Sequence, residues 1–169
     1  MAVRKATDVY ANRAITSITM SAANTLTFQQ IRFAVGLFQG VAIVVHRVDY
    51  AIYQATAIQI AANTDWIRFG LTLSDQVSDL SEDDPRVVAA ATIIGMGAAV
   101  EPMRTPVTID LTNLPEKGVL LPANPLYLGM ESGGLATAGR VDVQVWFSFK
   151  QLADKDYIEL LQSSIPSNI

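Results

Sequence analysis

The residues best suited to chemistry lie in the stretch VAIVVHRVDY, which contains the single histidine of the chain, His46, beside Arg47 and Asp49. An imidazole can act as a general base or a metal ligand near neutral pH. The strand-like alternation places His46 with Val44 and Val48, where a hydrogen-bonded, semi-buried histidine is more common than a catalytic one. Arg47 and Asp49 share the opposite face, and their spacing favours a surface ion pair or a contact between subunits.

An acidic cluster precedes Pro85 and could offer oxygen ligands to calcium. It lacks the alternating acidic positions and the central glycine of an EF-hand loop, so we predict no metal site. Acidic residues followed by proline favour the start of a helix, and the sequence predicts a short one over residues 84–94. Glycines at 95 and 97 lack the third glycine of a dinucleotide fingerprint, so no cofactor is predicted. The acidic residues are Asp79, Glu82, Asp83 and Asp84.

Four aromatic side chains raise a different hypothesis, because an exposed aromatic platform can bind a sugar. Scattered aromatic residues in a β-sandwich more often fill the core or anchor an interface. A carbohydrate-binding module is therefore the alternative function, and an enzyme ranks third. The aromatic residues are Trp66, Tyr127, Trp146 and Tyr157.

The clearest structural signal is RVDVQVWFSFK, residues 140–150, in which apolar and polar side chains alternate. A repeat of two sends alternate side chains to opposite faces of a sheet, so this segment predicts a strand with one buried face. Similar patterns predict strands over residues 26–35, 41–52, 57–61, 66–73, 106–112, 118–121 and 125–130, and residues 132–139 predict a hairpin loop. A helix over residues 154–163, with Asp154 as its cap, closes the chain.

About eight short strands and two short helices predict an all-β protein built as a single jelly-roll sandwich. A closed lipocalin-type barrel is the alternative architecture, and the missing cysteine pair disfavours an immunoglobulin fold. We assign residues 1–169 to one domain, with residues 1–24 as an amino-terminal arm.

The composition predicts an oligomer, because only 17% of the 169 residues are charged while 50% are hydrophobic. So few charges leave apolar surface available for other subunits. A net charge of −4 disfavours strong nucleic-acid binding. The start lacks the apolar core of a secretory signal, and the longest apolar run is too short to span a bilayer. The predicted interface residues are Arg47, Asp49, Trp146, Tyr157, Ile158 and Leu161.

The order of these segments also resembles a known family. VAIVVHRVDYAI comes early, then DDPRVVA, then VTIDLTNLPEKGVLLPANPLYLGMES, then a long final strand and the helix DKDYIELLQSS. This order is similar to that of the single jelly-roll capsid proteins of archaeal and bacterial viruses. The resemblance covers the chain from about Val41.

The resemblance implies a structural subunit of an icosahedral virion, assembled in the host cytoplasm. Its partners would be copies of itself or a second capsid protein, with no cofactor and no catalytic residues. The chain departs from many such proteins because it lacks a strongly basic amino-terminal arm, so the resemblance gives no reason to expect binding to the genome.

Overall fold

The computed structural model describes residues 11–33, 40–52, 59–60, 64–81, 83–95, 101–102, 106–123 and 125–163. Within these ranges the chain forms eleven strands, a 3-10 turn at Pro115–Lys117 and one α-helix, α1, at Asp154–Ser163. The strands are β1 (Asn12–Thr19), β2 (Thr27–Ile31), β3 (Val41–Ile52), β4 (Gln59–Ile60), β5 (Trp66–Thr72), β6 (Val87–Ile94), β7 (Glu101–Pro102), β8 (Val107–Asp110), β9 (Val119–Pro122), β10 (Leu126–Gly133) and β11 (Arg140–Gln151).

Two antiparallel sheets make up the sandwich. The larger sheet has the order β1-β11-β3-β8, with β9 also paired to β3, and the smaller sheet has the order β2-β10-β5-β6. If β4, β7 and β9 are set aside, the pairing of the remaining eight strands is nested. β1 pairs with β11, β2 with β10, β3 with β8, and β5 with β6. This nesting is one antiparallel ribbon rolled into two layers, the connectivity of a jelly roll. The predicted all-β sandwich is confirmed.

The core lies between the two sheets and follows the alternation of β11. Val141, Val143, Val145 and Phe147 are buried, while the intervening side chains face outward and are partly exposed. Tyr50 of β3 crosses the core, where its ring stacks on Phe69 and its hydroxyl donates a 2.9 Å hydrogen bond to the Gly70 carbonyl. Burial raises the pKa of Tyr50, so this phenol stays protonated and keeps the two sheets joined.

The connection between β5 and β6 folds back over the outer face of the smaller sheet. Leu80 is fully buried there, and it lies directly above Gly70 and Gly129, where added Cβ atoms would come within 3.0 and 2.6 Å of its side chain. Glu131 accepts a 3.2 Å hydrogen bond from the Leu80 amide and a 3.1 Å bond from Arg68. Gly70 and Gly129, which lie opposite each other on β5 and β10, therefore form the groove in which this connection lies.

The predicted helix over residues 84–94 is wrong, because Val87–Ile94 form β6. Asp84 and Pro85 belong to a turn, in which Asp84 pairs with Arg86 at 2.6 Å. β6 continues the smaller sheet by pairing with β5 along its length, and Ala89, Ala91 and Ile93 pack against the core. The hydrogen bonds and burial offered by β5 outweigh the helical propensity of this alanine-rich segment.

The chain ends differ from expectation in smaller ways. Asn12–Thr19, expected to lie in an arm, form β1 because their backbone pairs with β11 along eight residues. The helix predicted over residues 154–163 is confirmed. Its first hydrogen bond runs from the Tyr157 amide to the Ala153 carbonyl, so Ala153 is the cap and Asp154 lies in the first turn. No helix in the described residues is long and apolar enough to cross a membrane.

Each of the remaining predicted strands overlaps an observed strand, with ends that differ by up to a few residues where the structure describes them. The segment predicted over residues 57–61 corresponds to β4, and residues 53–58 and 61–63 lie outside the described residues. The predicted hairpin loop starts later than expected, because β10 extends to Gly133.

Truncating a core residue of β11 tests its orientation. Phe147→Ala should lower the free energy of unfolding by about 3–5 kcal/mol, through lost burial and the cavity left beside Phe33. Gln144→Ala, on the outward-facing parity of the same strand, should change it by less than about 1 kcal/mol. Urea denaturation of both variants makes the measurement, and equal losses would contradict the assigned faces.

Candidate subunit-contact surface

A β-bulge in β3 shapes the outer face of the larger sheet. Arg47 lies opposite Trp146 and Val45 lies opposite Phe147, which leaves His46 without a residue opposite it on β11. A bulge interrupts the alternation of a strand, so His46 and Arg47 both face outward. Val48 faces the core and is fully buried. The expectation that His46 shares a face with Val48 and lies opposite Arg47 is therefore wrong.

The outer face carries a group of side chains that we call the Trp146 cluster, consisting of Arg13, Arg47, Asp49, Thr108 and Trp146. The guanidinium carbons of Arg13 and Arg47 lie 5.7 and 6.0 Å from the centre of the Trp146 ring. The Trp146 indole donates a 3.1 Å hydrogen bond to Asp49 Oδ2. Four strands contribute to the cluster, because β1, β11, β3 and β8 are neighbours in the larger sheet.

Asp49 is the most constrained member of the Trp146 cluster. Its Oδ2 also accepts a 2.7 Å hydrogen bond from Arg47 Nη2, and its Oδ1 accepts bonds from Arg47 Nε at 2.8 Å and Thr108 Oγ1 at 2.7 Å. Burial by itself would raise the pKa of Asp49, but the hydrogen bonds from Arg47, Thr108 and Trp146 lower it below the usual value. The carboxylate therefore stays ionised at neutral pH and fixes the positions of its three donors.

Arg47 and Trp146 remain available to a partner despite these bonds. The Arg47 side chain is 49% exposed, whereas that of Asp49 is 13% exposed. Ile15, on the neighbouring edge strand β1, is 62% exposed and faces the same side as Arg13. Arginine and tryptophan are enriched at the centre of protein interfaces, and the exposed Ile15 beside them adds apolar area that a partner could cover.

His46 adjoins the Trp146 cluster but is held by other groups. Its Nδ1 lies 2.7 Å from the Lys117 carbonyl, and since a carbonyl only accepts, this nitrogen carries the proton. Its Nε2 lies 2.9 Å from the Ser148 hydroxyl. Gly118 permits the close approach of the Lys117 turn, because a Cβ there would lie 2.5 Å from the Val45 carbonyl. Both ring nitrogens thus join β3 to its neighbours, as expected of a structural histidine.

Helix α1 lies away from the Trp146 cluster and packs against β9. Tyr157 is buried, Leu161 is partly buried and Ile158 is 53% exposed. Of the three helix residues predicted at an interface, Tyr157 therefore packs mainly within its own subunit. Ile158 offers the most apolar surface to another molecule.

The other candidate groups do not converge. Among the described residues, no three His, Cys, Asp or Glu side chains are placed to share a metal ion. Of the acidic cluster, Asp84 pairs with Arg86, the Asp79 carboxylate accepts a hydrogen bond from the Ser81 amide, and Glu82 lies outside the described residues. Trp66 and Tyr127 lie at opposite ends of the β5–β10 pairing in the smaller sheet, Trp146 lies on the larger sheet and Tyr157 lies in α1, so the four form no common platform.

Sequence reasoning identified Arg47, Asp49 and Trp146, and it missed Arg13, Ile15 and Thr108. Arg47 and Asp49 are predictable because they lie two residues apart on one strand. Trp146 is predictable because it alternates with the apolar residues of another strand. Arg13 and Ile15 fall in the predicted arm, and Thr108 is one of many threonines. Their positions depend on the pairing of β1 and β8 in the sheet, and no local pattern specifies this pairing.

Comparison with solved structures gives 14 matching chains. The chain is similar to a chain in the X-ray structure of tomato aspermy virus, with a TM-score of 0.44 and 12% sequence identity, over 94% of this chain and 80% of that one. No protein family model and no curated protein matches the sequence.

The pKa shift of Asp49 predicts how stability responds to acid. Since the folded-state pKa lies below the unfolded value of about 3.9, the contribution of Asp49 is complete above about pH 5 and is lost as the pH falls through the folded pKa. Asp49→Asn should thus lower the free energy of unfolding by about 1–2 kcal/mol at pH 7. The difference from the wild type should narrow toward pH 2.5 in urea titrations. A difference independent of pH would mean that the Asp49 charge is not what stabilises the cluster.

Proposed function

We propose that this protein is a structural capsid subunit that assembles with copies of itself into an icosahedral viral shell. It would work by binding rather than by catalysis, with no cofactor. Its place would be the virion, assembled in the cytoplasm of the host cell, with other copies or a second capsid protein as partners. The Trp146 cluster and the exposed part of α1 would supply two of its contact surfaces.

The observation that carries this proposal is the organisation of the Trp146 cluster. An acid or base in an active site needs a pKa near the working pH and a free path to a substrate. Asp49 has a lowered pKa, and both of its oxygens accept hydrogen bonds from neighbouring side chains. Such an arrangement is suited to holding Arg47 and Trp146 rigidly. Rigid arginine and tryptophan side chains make effective anchors, because little conformational entropy is lost when they bind.

A jelly roll alone does not decide the function, because lectins and cupins share this architecture with capsid proteins. A sugar-binding platform needs several aromatic rings on one surface. Trp146 faces outward from the larger sheet, whereas Trp66 lies across Gly133 on the smaller sheet. Tyr157 is buried under α1, and Tyr127 is partly buried in β10. This division favours a shell subunit over the carbohydrate-binding alternative.

The distribution of exposed apolar residues is also suited to a subunit with several neighbours. The four large hydrophobic side chains exposed in the described residues lie on different elements: Ile15 on β1, Ile94 on β6, Leu114 between β8 and β9, and Ile158 on α1. In a closed shell, each subunit contacts neighbours on several sides. The low charge fraction reduces repulsion between copies.

Removing the Trp146 ring tests the proposal. Trp146→Ala should raise the protein concentration needed for assembly by about tenfold or more, because a buried tryptophan anchor contributes at least about 2 kcal/mol to an interface. Light scattering and negative-stain microscopy provide the measurement. Trp66→Ala, on the opposite sheet, is the matched control.

Two outcomes would contradict the proposal. Wild-type protein that stays monomeric at high concentration across a range of salt would exclude a shell role, and specific glycan binding by that monomer would support the alternative. If Trp146→Ala assembled like the wild type, the Trp146 cluster would not be part of the contact between subunits. Thermal denaturation of each variant separates an assembly defect from an unfolded subunit.

Two adjacent residues of α1 should have separable effects. Tyr157→Ala should lower the stability of the isolated subunit by about 3 kcal/mol, because this ring is buried against the sandwich. Ile158→Ser should leave the melting temperature within about 2 °C and weaken assembly, since Ile158 is exposed. Calorimetry and light scattering on both variants test the pair. If Ile158→Ser assembled like the wild type, α1 would have no role in the contact.

A further inference from the structure

We infer that the outer edge of β1 is a contact at which a second copy of this chain adds its own β1, antiparallel, about a two-fold axis at Ile15. The inference rests on the proposed function for the identity of its partner. Beyond that function, the inference specifies the strand that makes the contact between copies, the relative direction of the two strands and their register. The result would be one continuous sheet through two subunits.

The backbone of β1 has hydrogen-bonding groups directed at this edge. The Met20 amide donates a 3.0 Å bond to the Gly139 carbonyl, which continues the β1–β11 register by one pair beyond Thr19 and Arg140. Hydrogen-bonded pairs alternate along an antiparallel ladder, so Ile18, Thr16 and Ala14 direct their amides and carbonyls toward β11. Ile15 and Ser17 therefore direct theirs away from β11. Within the described residues, no strand pairs with this side of β1.

The other sheet edges are shorter or interrupted, which is how proteins normally prevent strands from pairing between molecules. β8 and β9 have four residues each, and β9 includes Pro122. β2 has five residues. β6 has a register shift that leaves Val88 unopposed. β1 has eight residues in unbroken register with β11, contains no proline and exposes Ile15 at 62%.

Side-chain chemistry selects the register. With the axis at Ile15, this residue lies opposite Ile15 of the partner subunit, and Ser17 lies opposite Arg13 of the partner subunit. Opposite residues in an antiparallel pair share a face, so the two isoleucines shield each other from water. Ile15 and Ser17 also have the backbone orientation that such hydrogen-bonded pairs require.

Charge favours the same register over its neighbour. Ser17 lies opposite Asp142 on β11, so Arg13 of the partner subunit would lie two strands from Asp142, with only a serine between them. Asp142 is 41% exposed and open to a second cation. A shift of the axis to Thr16 would place Arg13 of the partner subunit beside Thr19, which lies opposite Arg140. Like charges would then face each other, at a cost in free energy.

Single cysteines test the register directly, because the chain contains no cysteine. Residues opposite each other in a hydrogen-bonded pair have Cα atoms about 5.5 Å apart, within the range of a disulfide. Ile15→Cys should form covalent dimers on mild oxidation or with a short bismaleimide. Ser17→Cys alone should not, since the two thiols would lie about 13 Å apart along the strands. Arg13→Cys mixed with Ser17→Cys should form heterodimers.

A charge at the axis provides a second test without cross-linking. Ile15→Lys should weaken the dimer about tenfold or more in sedimentation equilibrium, since two ammonium groups would lie opposite each other. Ile94→Lys is the matched control for this dimer, because Ile94 is 58% exposed on the edge strand of the other sheet and would serve a contact separate from that of β1. The control should dimerise like the wild type. Equal effects of the two lysines would overturn the assignment to β1.

The cross-linking results also separate this contact from the shell proposal. If particles form and Ile15→Cys does not cross-link within them, the β1 contact is wrong and the shell proposal stands. If Ile15→Cys dimers form but the wild type never makes particles, the contact stands and the shell proposal fails. Efficient cross-linking of Ser17→Cys alone would exclude the axis at Ile15.

Discussion

The larger sheet depends on β11, which pairs with β1 on one side and with β3 on the other. Its odd-numbered side chains fill the core, and its even-numbered ones build the outer face. Because β1 and β11 come from opposite ends of the chain, the sheet cannot close until the last long strand is present. Such non-local pairing makes folding slow, since the loop entropy is lost before the contacts that compensate for it form.

This dependence explains which strands the sequence could predict. β5 and β11 each have apolar residues that recur with a period of two, because one face packs against the core. β3 is buried on both faces over Val41–Val45 and alternates only after its bulge. β1 has the sequence NRAITSIT, in which polar residues face both sides, and only its pairing with β11 makes it a strand. β6 has the opposite problem, because its apolar residues run continuously. Its buried face meets the core and Ala90 lies beneath the β5–β6 connection, so no alternation remains to distinguish it from a helix.

For the candidate surface, the sequence could predict contacts between residues of one strand but not contacts between strands. Arg47 and Asp49 could be paired from their spacing, because residues two apart on a strand share a face. The bulge at His46 could not be predicted, since it depends on how β3 matches β11 and leaves no mark in composition. Arg13 and Thr108 reach Trp146 and Asp49 only through the order and register of four strands. One register step would move each of them to the core face.

The local pairing of charges connects this architecture to association between copies. Among the described residues, three ion pairs join side chains two positions apart: Arg47 with Asp49, Arg86 with Asp84, and Arg140 with Asp142. An ion pair this close in sequence adds little by itself to the stability of the fold, because it links no distant elements. Asp49 joins strands through the bonds that it accepts from Thr108 and Trp146. The Arg47–Asp49 and Arg140–Asp142 pairs lie on the larger sheet, so the outer face of this sheet carries nearly balanced charges. Copies of such a surface can approach without strong repulsion, and their affinity then depends on the apolar and aromatic residues between the charges.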